Sequence, residues 1–202
     1  MKHLSILFLA VVLSACGKLS NPGSLLGGDS GGGGGDSSGD SAASPGGPVS
    51  DFKLSCEEAR FVRLLNIYRR SQGSNALAVS KAGVLSTRWH AEDMIDKNYF
   101  SHTEPNGRDF MSRASAFNYG AWAENIAAGN ASAEGTFCQW KNSPGHNSNM
   151  LGGHSTIGIG EAQGGSYGTY WSNNFGGSAT DTMAEPLTLE PGCSMPSAIP
   201  GC

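Results

Sequence analysis

Residues 140–160, WKNSPGHNSNMLGGHSTIGIG, are the stretch on which the reading of the fold turns. Trp140-Lys141-Asn142 predicts the end of a helix and residues 155–160 predict a strand, with Pro144 and Gly145 breaking the segment between them. Proline lacks an amide hydrogen and clashes inside a helix, and glycine reaches backbone angles that other residues resist, so a loop is expected here. A loop held between two rigid elements is a common place for binding or catalytic side chains. This one carries His146 and His154, two of the four histidines downstream of the N-terminal leader. An ordinary polar connection would explain the same residues, so the flanking chain has to decide.

Upstream, Ser55 followed by Glu57 and Glu58 predicts a helix start with acidic residues in its first turn. Phe61, Leu64, Leu65 and Tyr68 keep helical spacing up to Gly73. Ser80 caps an expected second helix running through Val84, Leu85, Trp89 and Met94 to about Asn98. Tyr99-Phe100-Ser101-His102 leaves that helix for a polar loop over residues 103–108, and a short helix is expected over 109–117. Residues 122–127 read as extended or loop-like, and a longer helix covers about 132–142. Downstream, 155–163 and 167–175 read as two strands joined by Gly164-Gly165-Ser166, a hairpin signal. Helices first and a hairpin later predict an α+β domain with helices packed on an antiparallel sheet.

In order along the chain, LLNIYRRSQG, WHAEDMIDKNYFSHTEPNGRDF, WAENIAAG, WKNSPGHNSNML, STIGIG and YWSNNFGG resemble the CAP superfamily, in its bacterial SCP-like extracellular form. The resemblance implies a three-layer α-β-α sandwich. It places the histidine of the family's FSH segment on His102, the glutamate of its GEN motif on Glu124 and the histidine of its SPGH segment on His146. Gly153-His154-Ser155-Thr156 matches a GH-x-T segment of the eukaryotic branch, which adds His154 to the implied cleft. Two positions depart from the pattern: Ala123 stands where the family has glycine, and Asn147 where it often has arginine.

The ends of the chain have a different character. Lys2 and the apolar run 4–13 fit an export signal and are too short to span a bilayer. The run ends in Leu13-Ser14-Ala15-Cys16, which resembles the lipobox of bacterial lipoproteins and implies lipidation of Cys16. Gly17 in place of Asp implies an outer-membrane or cell-surface address in a cell that has an outer membrane. Residues 17–50 are Gly, Ser, Asp and Pro with almost nothing to bury, and are expected to form a disordered tether reaching roughly 30–35 Å. The expected organisation is therefore a signal (1–16), a tether (17–50), a domain (51–178) and a Pro-rich tail (179–202). Setting Cys16 aside leaves Cys56, Cys138, Cys193 and Cys202, an even set suited to an oxidising compartment. Of the possible pairings, Cys56–Cys138 with Cys193–Cys202 is expected, because the second pair is close in sequence. The net charge is −4 and no Lys or Arg follows Lys141, so a nucleic-acid partner is not expected.

Histidines and a carboxylate in one cleft suit a divalent metal such as zinc, with His102, His146 and His154 as candidate ligands and Glu124 as ligand or orienting group. The spacing is not that of a compact zinc motif, and HExxH is absent from the sequence. Structural roles are expected for Asn125 and Ser143, a packed or surface position for His90, and core positions for Trp89, Trp122 and Trp140. Gly164-Gly165-Ser166-Tyr167-Gly168 satisfies GxSxG, but that motif needs a strand-to-helix elbow, and here it joins two strands. The expected function is a membrane-anchored, non-catalytic binding module taking a small, lipidic or peptide ligand. The alternatives are a metal-assisted hydrolase and a surface interaction protein whose cavity is only structural.

Overall fold

The computed structural model describes residues 52–187 and 189–202. The expected signal, the lipid acceptor Cys16 and the tether lie outside the described residues. The elements run α1 (Cys56–Ser71), β1 (Ala78–Ser80), α2 (Lys81–Asp96), α3 (Phe110–Ala116), β2 (Ala121–Ala128), α4 (Ala133–Lys141), α5 (Pro144–Leu151), β3 (Thr156–Gly164), β4 (Gly168–Gly176) and β5 (Thr182–Met183).

Local chemistry sets most boundaries. Ser55 and Glu58 form a capping box at α1: Ser55 Oγ accepts from the Glu58 amide at 3.1 Å, and Glu58 Oε2 accepts from the Ser55 amide at 2.8 Å. Ser80 caps α2 through the Gly83 amide at 3.1 Å, and Asp109 caps α3 through the Ser112 amide at 2.7 Å. The loop expected around Pro144 is instead the start of α5, with the proline in its first turn. A helix does not use its first amides internally, so proline's missing hydrogen costs nothing there and its fixed φ favours the turn.

The strands form a five-stranded sheet in the order β2-β4-β3-β1-β5. The expected hairpin is present, with β3 and β4 antiparallel from Thr156↔Gly176 to Gly164↔Gly168. The sheet is not wholly antiparallel, because β1 pairs with β3 in parallel at Ala78↔Thr156 and Val79↔Ile157. Helices cover both faces, giving the expected α-β-α layering. Side chains alternate along each strand, so Ala127, Ile157, Ile159, Trp171 and Phe175 join α1 and α4 in the main core, while Ile126 and Tyr170 pack on Ala91 and Met94 of α2. The α1 layer is aromatic: Phe61 lies edge-on to Trp140 at 5.1 Å between ring centroids.

Gly158 fixes how closely α2 approaches the sheet. A Cβ there would stand 2.2 Å from the Gly83 carbonyl carbon, so helix and strand touch backbone to backbone.

The disulfides are Cys56–Cys193 and Cys138–Cys202, not the expected pairs. The tail is spread across the α1 and α4 layer rather than curled on itself. Leu187, Leu189, Met195 and Ile199 pack against the main core, and Arg60 donates to the Ser194 carbonyl at 3.2 Å. Burying those side chains carries each tail cysteine to a helix cysteine, which outweighs nearness in sequence.

Candidate functional site

Strand β2 lies at the sheet's edge, so groups from both helical layers can meet beside it. Glu124, Ile126 and Ala128 share one face and Asn125 and Ala127 the other. A cleft of about 480 Å³ opens there, lined by His102 and Thr103 from the loop after α2, Asp109 and Phe110 at the start of α3, Trp122 and Glu124 of β2, and Asn149 of α5.

Glu124, buried at 5 % exposure, anchors the cleft. Its Oε1 lies 2.8 Å from His102 Nδ1, and its Oε2 accepts from Arg113 Nη2. A carboxylate can only accept from the ring, so Nδ1 carries the hydrogen and Nε2 is the nitrogen left for a ligand. The His102 side chain keeps 52 % of its accessible surface. Arg113 is wholly buried, and also reaches Glu104 Oε1 at 3.4 Å and the His102 carbonyl at 3.5 Å. Arg108 closes the chain by donating to both Glu104 oxygens at 2.8 and 2.9 Å. The two carboxylates thus face two guanidiniums, and each buried charge is compensated.

The opposite layer is tied on by amides. Asn125 Nδ2 donates to the His146 carbonyl at 3.1 Å, and Asn149 Nδ2 donates to Asn125 Oδ1 at 2.9 Å. Asn125 thus has the structural role expected of it, while Ser143 precedes α5 without making a side-chain cap. Arg69, buried in α1, donates to the Met150 and Gly152 carbonyls at 2.7 and 3.0 Å and so secures the end of α5. Asn147, where the family often has arginine, accepts from the Tyr68 hydroxyl at 3.1 Å.

His146 and His154 differ in surroundings. Burial, then the charge of His102, pushes the His146 imidazole below its ordinary value. The His146 Nδ1 is buried with no hydrogen-bond partner. His154 stacks on Phe175 at 5.1 Å and 26°, has Trp122 at 6.2 Å between ring centroids and tilted by 52°, and does not line the cleft. Burial and the nearby Arg69 hold it below the ordinary histidine range.

A zinc centre that does chemistry takes three protein ligands. Both Glu124 oxygens are committed to His102 and Arg113, and His154 is held against Phe175. Among the described residues no group of three or more His, Cys, Asp or Glu side chains is placed to hold a metal ion. The donor set as arranged does not fit such a centre.

His90 is fully buried, with the Tyr99 hydroxyl 3.4 Å from Nδ1. Trp140 is buried as expected, but Trp122 is not a core residue: it is 61 % exposed at the cleft mouth. Ser166 lies in the β3–β4 turn and donates to Asn98 Oδ1 at 3.1 Å, in keeping with a hairpin rather than a nucleophile elbow. Arg113, Glu104 and Arg69 were not legible as site residues. A charged residue on a short helix, in a loop or in the last turn of a helix reads as solvated surface, and only tertiary contacts show these to be buried.

Residues 62–175 match the family described as CAP, cysteine-rich secretory protein family. The chain is 36 % identical over 125 residues to the uncharacterized protein YkwD of Bacillus subtilis (strain 168), a match covering 60 % of this chain. The chain spans about half of that relative, 48 % of its length. It is similar to a solved extracellular protein containing a SCP domain from Bacillus anthracis str. Ames, with 29 % identity, a TM-score of 0.49, and 55 % of this chain and 37 % of that one covered. The fold is also similar to that of an outer surface protein from Borrelia burgdorferi, with a TM-score of 0.55, 17 % identity, and 63 % and 98 % of the two chains covered. The chain belongs to the CAP, cysteine-rich secretory protein, family.

Proposed function

We propose that this protein is an exported, non-catalytic binding module whose cleft beside β2 accepts a small ligand. The observation that carries the reading is the His102–Glu124–Arg113 relay. A buried carboxylate, itself held by a buried guanidinium, fixes one imidazole so that its Nε2 is free at the wall of a cleft. Preorganised polar groups in a concavity of this size are what a binding site needs. Glu124 is fully engaged, which favours a positioning role over that of a general base. Export is supported by the leader, by disulfides of the kind that persist outside the cytoplasm, and by membership of a family described as secretory. Lipidation at Cys16 would anchor the domain to the membrane.

A second reading, hydrolysis, is favoured by the same pair, since an imidazole oriented by a carboxylate is the arrangement of a general base. Mass spectrometry of the full chain purified under native conditions from its own host separates the two. A bound small molecule in the wild type, lost in His102→Ala while the circular dichroism spectrum stays that of the folded protein, is the expected result. An identical bound complement in both proteins, or none in either, contradicts the binding role. Cleavage of casein or peptidoglycan that disappears in His102→Ala replaces it with hydrolysis.

A further inference from the structure

We infer that Trp122 is the stacking platform of a saccharide subsite in this cleft. The inference rests on the binding reading above and names the class of ligand. The other three tryptophans differ from it: Trp140 and Trp171 are fully buried, each with its indole N–H on a backbone carbonyl, Ile126 at 3.2 Å and Asn130 at 2.8 Å, and Trp89, expected in the core, is half-buried with Lys97 and Arg108 over its ring. Trp122 instead leaves 61 % of its surface open beside polar groups. A large aromatic left in water at a concave site is a recurrent mark of ligand contact.

The indole is held from behind. His154 lies 6.2 Å from it and is itself stacked on buried Phe175, so a line of rings runs from the sheet core to the cleft mouth. Gly177 packs closely against the indole; a Cβ there would fall 2.5 Å from Trp122 Cζ2 and 2.8 Å from Cη2. These contacts restrict the indole, so little side-chain freedom remains to be lost on binding.

The chemistry opposite the ring favours a sugar over other occupants. A sugar ring has one face of weakly positive C–H groups that suits the negative face of an indole, and an equator of hydroxyls that donate and accept. Asp109, which caps α3 through Oδ1, offers its other carboxylate oxygen, Thr103 a hydroxyl, and His102 Nε2 a further position, all lining the same cleft as Trp122. Arg113 and Arg108 are both engaged by Glu124 and Glu104, so neither guanidinium is left to select a phosphate or carboxylate. This also gives His154 a role outside the cleft, as the backing of the platform.

The test is a titration of the full chain with chitotriose, maltotriose and cellotriose, followed by calorimetry and by the indole N–H signals in NMR. Binding of at least one trisaccharide is expected, with the Trp122 signal moving and those of Trp140 and Trp171 still. Trp122→Ala should weaken it at least about tenfold, and Trp122→Phe, which keeps a ring face, should stay within about threefold. Should Trp122→Ala fail to fold, the Trp122 signal in the wild type and the Trp122→Phe titration decide. Failure of all three sugars, while a bound molecule is still lost in His102→Ala, overturns the saccharide inference and leaves the binding cleft standing. Sugar binding that ignores Trp122→Ala, or binding of choline in place of the sugars, also overturns it. Absence of any ligand dependent on His102 removes both.

Discussion

Replacing Arg113 should be costly, and the structure sets the scale. It is wholly buried, donates to Glu124, and stands 3.4 Å from Glu104 and 3.5 Å from the His102 carbonyl. Glu104 would keep Arg108 after Arg113→Met, but Glu124 would keep His102 alone. Leaving one member of a buried ion pair uncompensated costs about 3–5 kcal/mol, well above the roughly 1 kcal/mol or less typical of exposed pairs. In urea at neutral pH with both disulfides intact, the unfolding midpoint should fall by roughly 2 M, for a denaturant slope of about 2 kcal/mol per M. The double variant Arg113→Met, Glu124→Gln removes the stranded charge, and should recover at least about 2 kcal/mol of the loss. A single-variant cost below about 1 kcal/mol, or two costs that simply add, would refute the claim that Arg113 compensates Glu124.

Burial, then the charge of Arg113, pushes the His90 imidazole down to about 3. Between about pH 6.5 and about 3 the unfolded chain takes up a proton that the folded one refuses, so this contribution is complete above about 6.5 and is lost as pH falls, by about 1.4 kcal/mol per unit and on the order of 5 kcal/mol in all. Urea titrations of wild type and His90→Gln from about pH 4 to 7 should diverge with that slope; parallel profiles would contradict it. Gly158→Ala places a Cβ against the Gly83 backbone, which cannot swing aside, and should lower the melting temperature by several degrees through a cost of about 1–3 kcal/mol. An unchanged melting curve would mean that α2 is free to retreat. Peptide mapping without reduction should recover Cys56–Cys193 and Cys138–Cys202, and Cys202→Ser with Cys138→Ser should destabilise by about 4 kcal/mol in the chain-entropy account. A Cys56–Cys138 peptide would overturn the placement of the tail.

The sequence was most legible where local chemistry decides structure. Ser55, Ser80 and Asp109 each bind the amide three residues on, and their helices start where caps and apolar spacing predict. The β3–β4 hairpin was equally legible, because its strands are long and its turn is rich in glycine. Strands β1 and β5 were missed: three residues and two residues hold no readable period, and they exist because β3 offers β1 a partner and β1 offers one to β5. Pro144 was misread because proline both ends helices and begins them, and only the following turn tells which. His102, Glu124 and His146 were identified through the resemblance; the first two meet side chain to side chain, whereas His146 reaches β2 through its carbonyl and, like His154, does not line the cleft. The buried Arg113, the exposed Trp122 and the disulfide pairing depend on which surfaces the layers cover, information that no single segment carries.

The central claim is that a ligand enters at the His102 end of the cleft. The direct measurement is the side-chain nitrogen spectrum of the full chain labelled with 15N-histidine, recorded as purified under native conditions and again after the bound molecule is stripped. The His102 signals should change, with His146 following across the edge of β2, while buried His90 and stacked His154 hold still. Changes confined to His90 or His154, or no change at any of these four histidines, would contradict the claim.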